Sequence, residues 1–120
     1  MTWQAEHYNA VLTEILLSRK VGVAHVRHIG DLISVRAQLS MGMQGAVGLS
    51  FDRRADIAEA VLGFEEACQQ AWRAVAGEPN IDRRVSKLTC LEQALESAVA
   101  GIRGIAHRNG IRCDAARLDG

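Results

Sequence analysis

Two histidines and an aspartate lie close together in the first third of the chain and have the chemistry of metal ligands. His25, His28 and Asp31 are spaced three residues apart, so a helix would project them from roughly one face. Imidazole nitrogens and carboxylate oxygens bind zinc and other divalent transition metals. A working site usually takes a further ligand from a second helix, and the sequence offers His7 or Glu14 for that role.

The same residues have a simpler interpretation as solvated side chains. Val26, Ile29 and Ile33 would then face the interior, and the two histidines and the aspartate would face water. No GxSxG, Walker-type GxxxxGKS/T or HExxH motif occurs in the chain, and these patterns are typical of hydrolases, nucleotide-binding proteins and zinc proteases. We therefore expect no cofactor, and a metal-dependent enzyme is an alternative rather than the main prediction.

Two arginine–histidine pairs have the chemistry of enzymes that cleave RNA. Helical ribonucleases use such pairs for acid–base chemistry on the RNA backbone, and the candidates here are Arg19 with His25 and Arg103 with His107. The second pair is four residues apart near a predicted helix end, where exposed polar residues are ordinary. An RNA-cleaving enzyme is therefore an alternative, and we predict no catalytic residues.

Two stretches have part of a helix-turn-helix pattern. The first, 105–111 followed by Ala116, has the small residue, the glycine and the apolar residue at the expected positions. The sequence stops at Gly120, so a recognition helix there would be too short for a major groove. In the second, 57–72, the small residue and the glycine are one position too far apart. A nucleic-acid-binding regulator is therefore a further alternative, with these candidate contacts: Arg108, Arg112 and Arg117.

The composition favours one soluble domain with a light core. The chain has 120 residues, a common domain size, with 48% apolar and 23% charged residues, which is ordinary for a globular protein. Fourteen basic residues balance fourteen acidic ones, so the net charge gives no argument for nucleic acid or an anionic membrane. Only 4% of residues are aromatic, and a thin core of this kind is often completed by a second subunit.

The cysteines and the absence of targeting signals indicate a cytoplasmic protein. The cysteines are odd in number and far apart, and no CxxC or zinc-type Cys/His spacing occurs, so we expect reduced structural thiols. No signal-peptide pattern is present at the N-terminus, and no apolar run approaches the ~20 residues of a membrane span. We expect no membrane partner.

The longest helical pattern covers 82–109, where apolar residues recur every three or four positions. Asn80 or Asp82 is a suitable N-cap, and Asn109 with Gly110 can form a left-handed cap at the other end. The residues of its apolar stripe are Val85, Leu88, Leu91, Leu95, Ala98, Val99, Ile102 and Ile105.

Three further helices are predicted, over 2–19, 23–41 and 52–76. Gly22 ends the first, or is tolerated so that the first two form one rod. The second has Val26, Ile29, Leu32 or Ile33, and Leu39 as its apolar side. The glycine-rich segment 41–48 is most simply a loop.

The helix over 52–76 opens at Ser50 or Asp52, and the break at 77–79 makes it an antiparallel neighbour of the last helix. Glu65 and Glu66 are interpreted as ordinary acids on an exposed helix face, as are Asp56 and Glu59. Its apolar stripe contains Ile57, Val61, Phe64, Cys68, Trp72 and Val75.

The two long helices begin with similar sequences. Residues 51–54 read Phe-Asp-Arg-Arg and residues 81–84 read Ile-Asp-Arg-Arg. The shared pattern predicts an apolar residue before the helix, an acidic cap and a polar first turn.

These patterns together predict an all-α fold, an antiparallel bundle of four helices, or three if the first two are continuous, in one domain over 1–120. The main functional prediction is a non-enzymatic protein-binding module, acting as an adaptor, inhibitor or regulatory subunit through a helix face. A homodimer or higher oligomer is expected, because apolar stripes with few aromatic residues can leave surface for a partner. The candidate anchors for that partner are Trp3, Phe64 and Trp72.

Overall fold

The computed structural model describes residues 23–113, and this part of the chain is helical. Helix α1 spans Val23–Gly45, α2 spans Phe51–Ala76 and α3 spans Ile81–Arg108, with no strand among the described residues. The all-α class is therefore confirmed for 23–113. The helix predicted over 2–19, its possible fusion with the next helix, and the tail after Cys113 lie outside the described residues.

The starts of α2 and α3 are fixed by side-chain caps of the same design. Ser50 and Asn80 are the N-caps, and each side-chain oxygen accepts the backbone N–H three residues later, at 3.1 Å and 3.0 Å respectively. Asp52 and Asp82, the alternative caps, instead lie in the first turn, where a carboxylate is stabilised by the positive end of the helix dipole.

The end of α3 confirms the predicted left-handed cap. Gly110 has a φ of 69°, a conformation that glycine adopts without steric cost. The backbone N–H of Ile111 donates to Ala106 O at 2.8 Å, and that of Gly110 donates to His107 O at 3.2 Å. These two bonds form a Schellman motif, which turns the chain so that the Ile111 side chain is buried.

Helix α1 continues four residues beyond its predicted end at Met41, through the first part of the segment predicted as a loop. Leu39 and Met43 are both buried, so the apolar stripe extends another turn. A Cβ atom at Gly42 would overlap the side chain of Ile111. The glycine therefore permits close packing of helical backbone here rather than marking a loop.

Helix α3 is the central element and packs against both α1 and α2. His25 near the start of α1 contacts Leu88 in the early part of α3, whereas Gly42 lies against Ile111, just after α3 ends. Helices α1 and α3 therefore run in the same direction. The short link at 77–80 makes α2 and α3 an antiparallel hairpin, as predicted.

The core contains most of the apolar residues predicted for it on α1, α2 and α3. Ile29, Leu32 and Leu39 are buried, as is Val35, whereas Val26 and Ile33 are exposed. Leu32 rather than Ile33 thus belongs to the interior. None of the described helices has the length and apolarity needed to cross a bilayer. The buried apolar residues of α2 and α3 are Ile57, Val61, Cys68, Trp72 and Val75, and Leu91, Leu95, Ala98, Val99, Ile102, Ile105 and Ala106.

Small residues bring α2 and α3 close together around Phe64. The half-buried Phe64 ring lies against Gly101, where any Cβ atom would overlap the ring. Ala71 and Ala94 also pack against the core. The stripe of small residues on α3 is therefore used, at least at these positions, for packing within the chain.

Candidate functional sites

A single arginine organises the link between α1 and α2. The Arg54 guanidinium donates to Met43 O at 2.5 Å, to Ala46 O at 2.7 Å and, through Nε, to Leu49 O at 3.2 Å. These carbonyls belong to the end of α1 and to the link at 46–50. Hydrogen bonds from a charged donor are the stronger kind, so the link has a defined conformation.

Three large apolar side chains are exposed around this link. Met41 is 71% exposed, Val47 98% and Phe51 70%, and we call them the link surface. They lie near in sequence to the segment that Arg54 holds, so they are presented from an ordered part of the fold. Large apolar side chains exposed on ordered elements are a feature of protein-binding surfaces.

A second, smaller pair of exposed apolar residues lies at the other end of α2. Ile81 is 73% exposed, and Val85 one turn later on α3 is also exposed. The apolar residue that begins each helix, Phe51 or Ile81, is thus the first helical residue with its side chain in solvent, rather than a residue packed before the cap.

The structure buries one of the predicted partner anchors, Trp72, and leaves another, Phe64, half-buried. Trp72 is 4% exposed, and its indole Nε1 has no hydrogen-bond partner among residues 23–113. Phe64 packs on Gly101, and Trp3 lies outside the described residues. The link surface was missed, although one signal was available: Val47 stands between glycines at 45 and 48, where an apolar side chain in a tight turn has little to pack against.

The three predicted metal ligands are separated by the fold. His25 is buried, and its Nε2 donates to Leu88 O at 2.7 Å. Its Nδ1 is buried without a hydrogen-bond partner in the described part of the chain. His25 thus lies on the packed side of α1, not on the solvated side that the sequence favoured. Asp31 is half-buried and does not join His28 in a ligand cluster.

His28 instead meets two glutamates of α3. Its Nε2 lies 3.2 Å from Glu96 Oε1 and 3.8 Å from Glu92 Oε1. One ligand atom from each of the three residues lies within 4.8 Å of the other two. The proposed second-helix ligands His7 and Glu14 lie outside the described residues. The two glutamates were missed because only the packing of α1 on α3 brings them to His28.

The candidate nucleic-acid residues do not form a described recognition element. Arg108 and Arg112 are exposed near the end of α3, and Arg117 lies outside the described range. Helix α2 runs without a break through Gly63, so 57–72 contains no turn between two helices. A second helix after Gly110 would fall mostly beyond Cys113, where nothing is described.

The arginine–histidine pairs that resemble a ribonuclease site are also not assembled among the described residues. Arg103 and His107 are both exposed on α3, and Arg19 lies outside the described range. No described geometry joins either pair into an acid–base site.

Cys68 and Glu65 are buried one turn apart on α2. Burial, with a smaller contribution from the Glu65 charge, raises the pKa of Cys68 to about 12. The thiol therefore stays protonated at neutral pH, which removes it as a nucleophile. Glu65 is 3% exposed, so its interpretation as a surface acid was wrong: it lies one turn after Val61, on the side of α2 that packs in the core.

Two features of the described residues bear on function: the link surface and the His28–Glu92–Glu96 cluster. No protein-family model, curated protein or solved structure matches this chain.

Proposed function

We propose that the chain is a non-enzymatic protein-binding module that docks on a partner protein through the link surface, as an adaptor, inhibitor or regulatory subunit. The observation that supports this is the exposure of Met41, Val47 and Phe51 around a link that is itself held by Arg54. Neither Val47 nor Phe51 is needed in solvent for the backbone conformation, which a polar residue would satisfy equally well.

The energetics of the link surface fit the role of an anchor. Full burial of a large apolar side chain contributes roughly 1.5–3 kcal/mol, so burial of three contributes about 5 kcal/mol or more before the cost of association. The Arg54 hydrogen bonds fix the link before binding, which reduces the entropy lost when a partner orders it.

The small area of the link surface favours a partner with an apolar pocket. A standard interface covers about 800 Å² on each partner, more than three side chains at one end of a bundle supply. The link surface therefore acts as a set of anchors that enter a pocket, and the exposed polar residues around it, Gln44, Asp52 and Arg53, form the rim. A second copy of the chain is the other possible occupant, and the homodimer stays a prediction.

A matched pair of double variants tests the proposal. Val47→Ser with Phe51→Ser removes most of the link surface, and Ile81→Ser with Val85→Ser removes two other exposed apolar residues, at the other end of α2. Affinity capture from the native cell, followed by titration calorimetry with the recovered protein, should show at least a tenfold weaker affinity for the first variant only.

Circular dichroism establishes that both variants keep the helical fold. Equal retention of the partner by both variants would contradict docking through the link surface. Light scattering on the purified chain separates the two occupants: a dimer that the link variant dissociates would assign the surface to self-association instead.

The proposal includes a cytoplasmic location. It is supported by the three cysteines, all within the described residues and none in a disulfide there, as expected in a reducing compartment.

A further inference from the structure

The His28–Glu92–Glu96 cluster joins α1 to α3 and is separate from the link surface. We propose that it binds one divalent transition-metal ion, with Zn²⁺ as the representative. The ligands would be His28 Nε2 and one carboxylate oxygen from each of Glu92 and Glu96. This inference does not rest on the docking function proposed above, since no residue is shared.

The distances within the cluster fit the edges of a metal coordination polyhedron. With bonds of about 2.1 Å to nitrogen and oxygen, neighbouring ligand atoms around Zn²⁺ are separated by roughly 3.0–3.4 Å. His28 Nε2 lies 3.2 Å from the Glu96 oxygen and 3.8 Å from the Glu92 oxygen. All three ligand atoms lie within 4.8 Å of one another, so rotations of the two glutamate side chains would bring them to these separations around one ion.

The charges of the cluster favour a cation. Glu92 and Glu96 are four residues apart on α3, a spacing at which like charges destabilise a helix. Among residues 23–113, neither glutamate pairs with a lysine or arginine, and the His28 Nε2 atom lies against both carboxylates. With a neutral imidazole, the three side chains carry two negative charges, which one divalent ion neutralises.

The packing of α1 on α3 holds the ligands in register. One turn before His28, the His25 Nε2 donates to Leu88 O at 2.7 Å. Just after it, Ile29 is fully buried. The imidazole of His28 is therefore carried by a helix that is fixed against α3 on both sides of the site. Preorganised ligands lose less entropy when the ion binds.

The donor set also selects the class of metal. One imidazole nitrogen and two carboxylate oxygens suit Zn²⁺ and similar transition metals. Ca²⁺ and Mg²⁺ prefer all-oxygen ligands. The side chains of His28 and Glu92 are partly exposed and that of Glu96 more so, so water can fill the remaining coordination positions, giving three protein ligands and an open site.

Titration of the chelator-treated chain with Zn²⁺ tests the site. Calorimetry should show one ion per chain, and the midpoint of thermal unfolding should rise because the ion binds the folded state. His28→Ala and the paired change Glu92→Gln with Glu96→Gln should each weaken binding at least tenfold and abolish the rise. Ca²⁺ should bind at least tenfold more weakly than Zn²⁺.

His107→Ala and Cys90→Ser are the matched controls, because both residues are exposed on α3 outside the cluster. They should leave the Zn²⁺ affinity unchanged. The glutamine variants keep the side-chain volume, and circular dichroism verifies their fold. Three results would each overturn the proposal. They are Zn²⁺ binding that survives the ligand variants, equal binding of Ca²⁺ and Zn²⁺, and no binding at about millimolar Zn²⁺, which would leave the cluster as an ion pair only.

Discussion

The α1–α2 link and the α2–α3 link are each followed by a helix that starts in the same way. Different side chains stabilise the two links. In both, a polar N-cap accepts the backbone N–H three residues later, and the arginine in the fourth helical position folds back onto the link. Arg54 donates to three different carbonyls. Arg84 donates twice to one carbonyl, that of Glu78, at 3.1 Å and 2.7 Å.

The second link contains an ionised side chain that the first lacks. Lys87 Nζ donates to Glu78 Oε1 at 2.7 Å, and the backbone N–H of Asn80 donates to Glu78 Oε2 at 3.1 Å. The Lys87 hydrogen bond first, and then the Asn80 one, hold the pKa of Glu78 below its ordinary value. The Glu78 carboxylate thus helps to stabilise the second link, whereas the first link is stabilised by Arg54.

Similar sequences at the start of two helices therefore do not determine which groups stabilise the links that precede them. The sequences at 51–54 and 81–84 share their acidic and basic residues, and both yield a capped helix. The partners of the two arginines depend on where the preceding helix ends. The first link is held by the hydrogen bonds of Arg54, and the second also by the ion pair of Glu78 with Lys87.

The largest difference between the links should follow from removal of the arginines. Arg54→Ala leaves three carbonyls without their charged donor and should lower the free energy of unfolding by about 2–3 kcal/mol, whereas Arg84→Ala should cost about 1–2 kcal/mol. Urea denaturation followed by circular dichroism measures both. Arg54→Lys should restore little, because one ammonium cannot span three carbonyls. Equal losses from the two alanine variants would break the comparison.

Removal of the caps should have a smaller effect that is similar at the two links. Ser50→Ala and Asn80→Ala each remove one side-chain acceptor and should each cost about 1 kcal/mol. Because the caps share no partner, the double variant should lose the sum of the two. Thermal and urea unfolding test this, and a clearly non-additive double variant would show that the links are coupled.

At acid pH, the second link should lose a stabilising contribution that the first link does not have. The folded pKa of Glu78 is lowered, so its carboxylate stabilises the fold above the unfolded pKa of about 4.3, and this contribution is lost as the pH falls through the folded pKa. Glu78→Gln should therefore show a shallower loss of stability on the acid side. Unfolding curves measured from about pH 7 to pH 3 test this; parallel curves for the two proteins would exclude the mechanism.

The smallest effects should come from the exposed residues that begin α2 and α3. Phe51→Ser and Ile81→Ser remove side chains that are in solvent, so each should change the free energy of unfolding by less than about 0.5 kcal/mol. A loss above about 1 kcal/mol at either position, measured by urea unfolding, would show that these residues pack against the fold rather than face a partner.

The interior faces of α2 and α3 were predictable, and that of α1 was predictable only in part. On α2 and α3 the apolar residues recur on one side, so burial of Ile57, Trp72 and Ile102 followed from spacing. On α1, Val26 and Ile33 compete with Ile29 and Leu32 for the interior, and the local pattern does not decide between them. The contacts of His25 with Leu88 and of Gly42 with Ile111 fix the rotation.

The candidate sites depend on contacts between distant parts of the chain. Glu92 and Glu96 lie more than sixty residues from His28, and only the packing of α1 along α3 brings their oxygens to its imidazole. The link surface depends on where α1 ends. The helix ends at Gly45 rather than at the predicted Met41, because Met43 packs in the core.

The sequence by itself determined the helical class, the left-handed cap at Gly110 and most of the buried sides of α2 and α3, and it limited each N-cap to two candidates, because these depend on backbone chemistry and on spacing within one helix. Tertiary structure decided the rotation and end of α1, the burial of Glu65 and the meeting of His28 with two glutamates. Each of these depends on the neighbour that a helix packs against, and residues that are distant in the chain supply that neighbour.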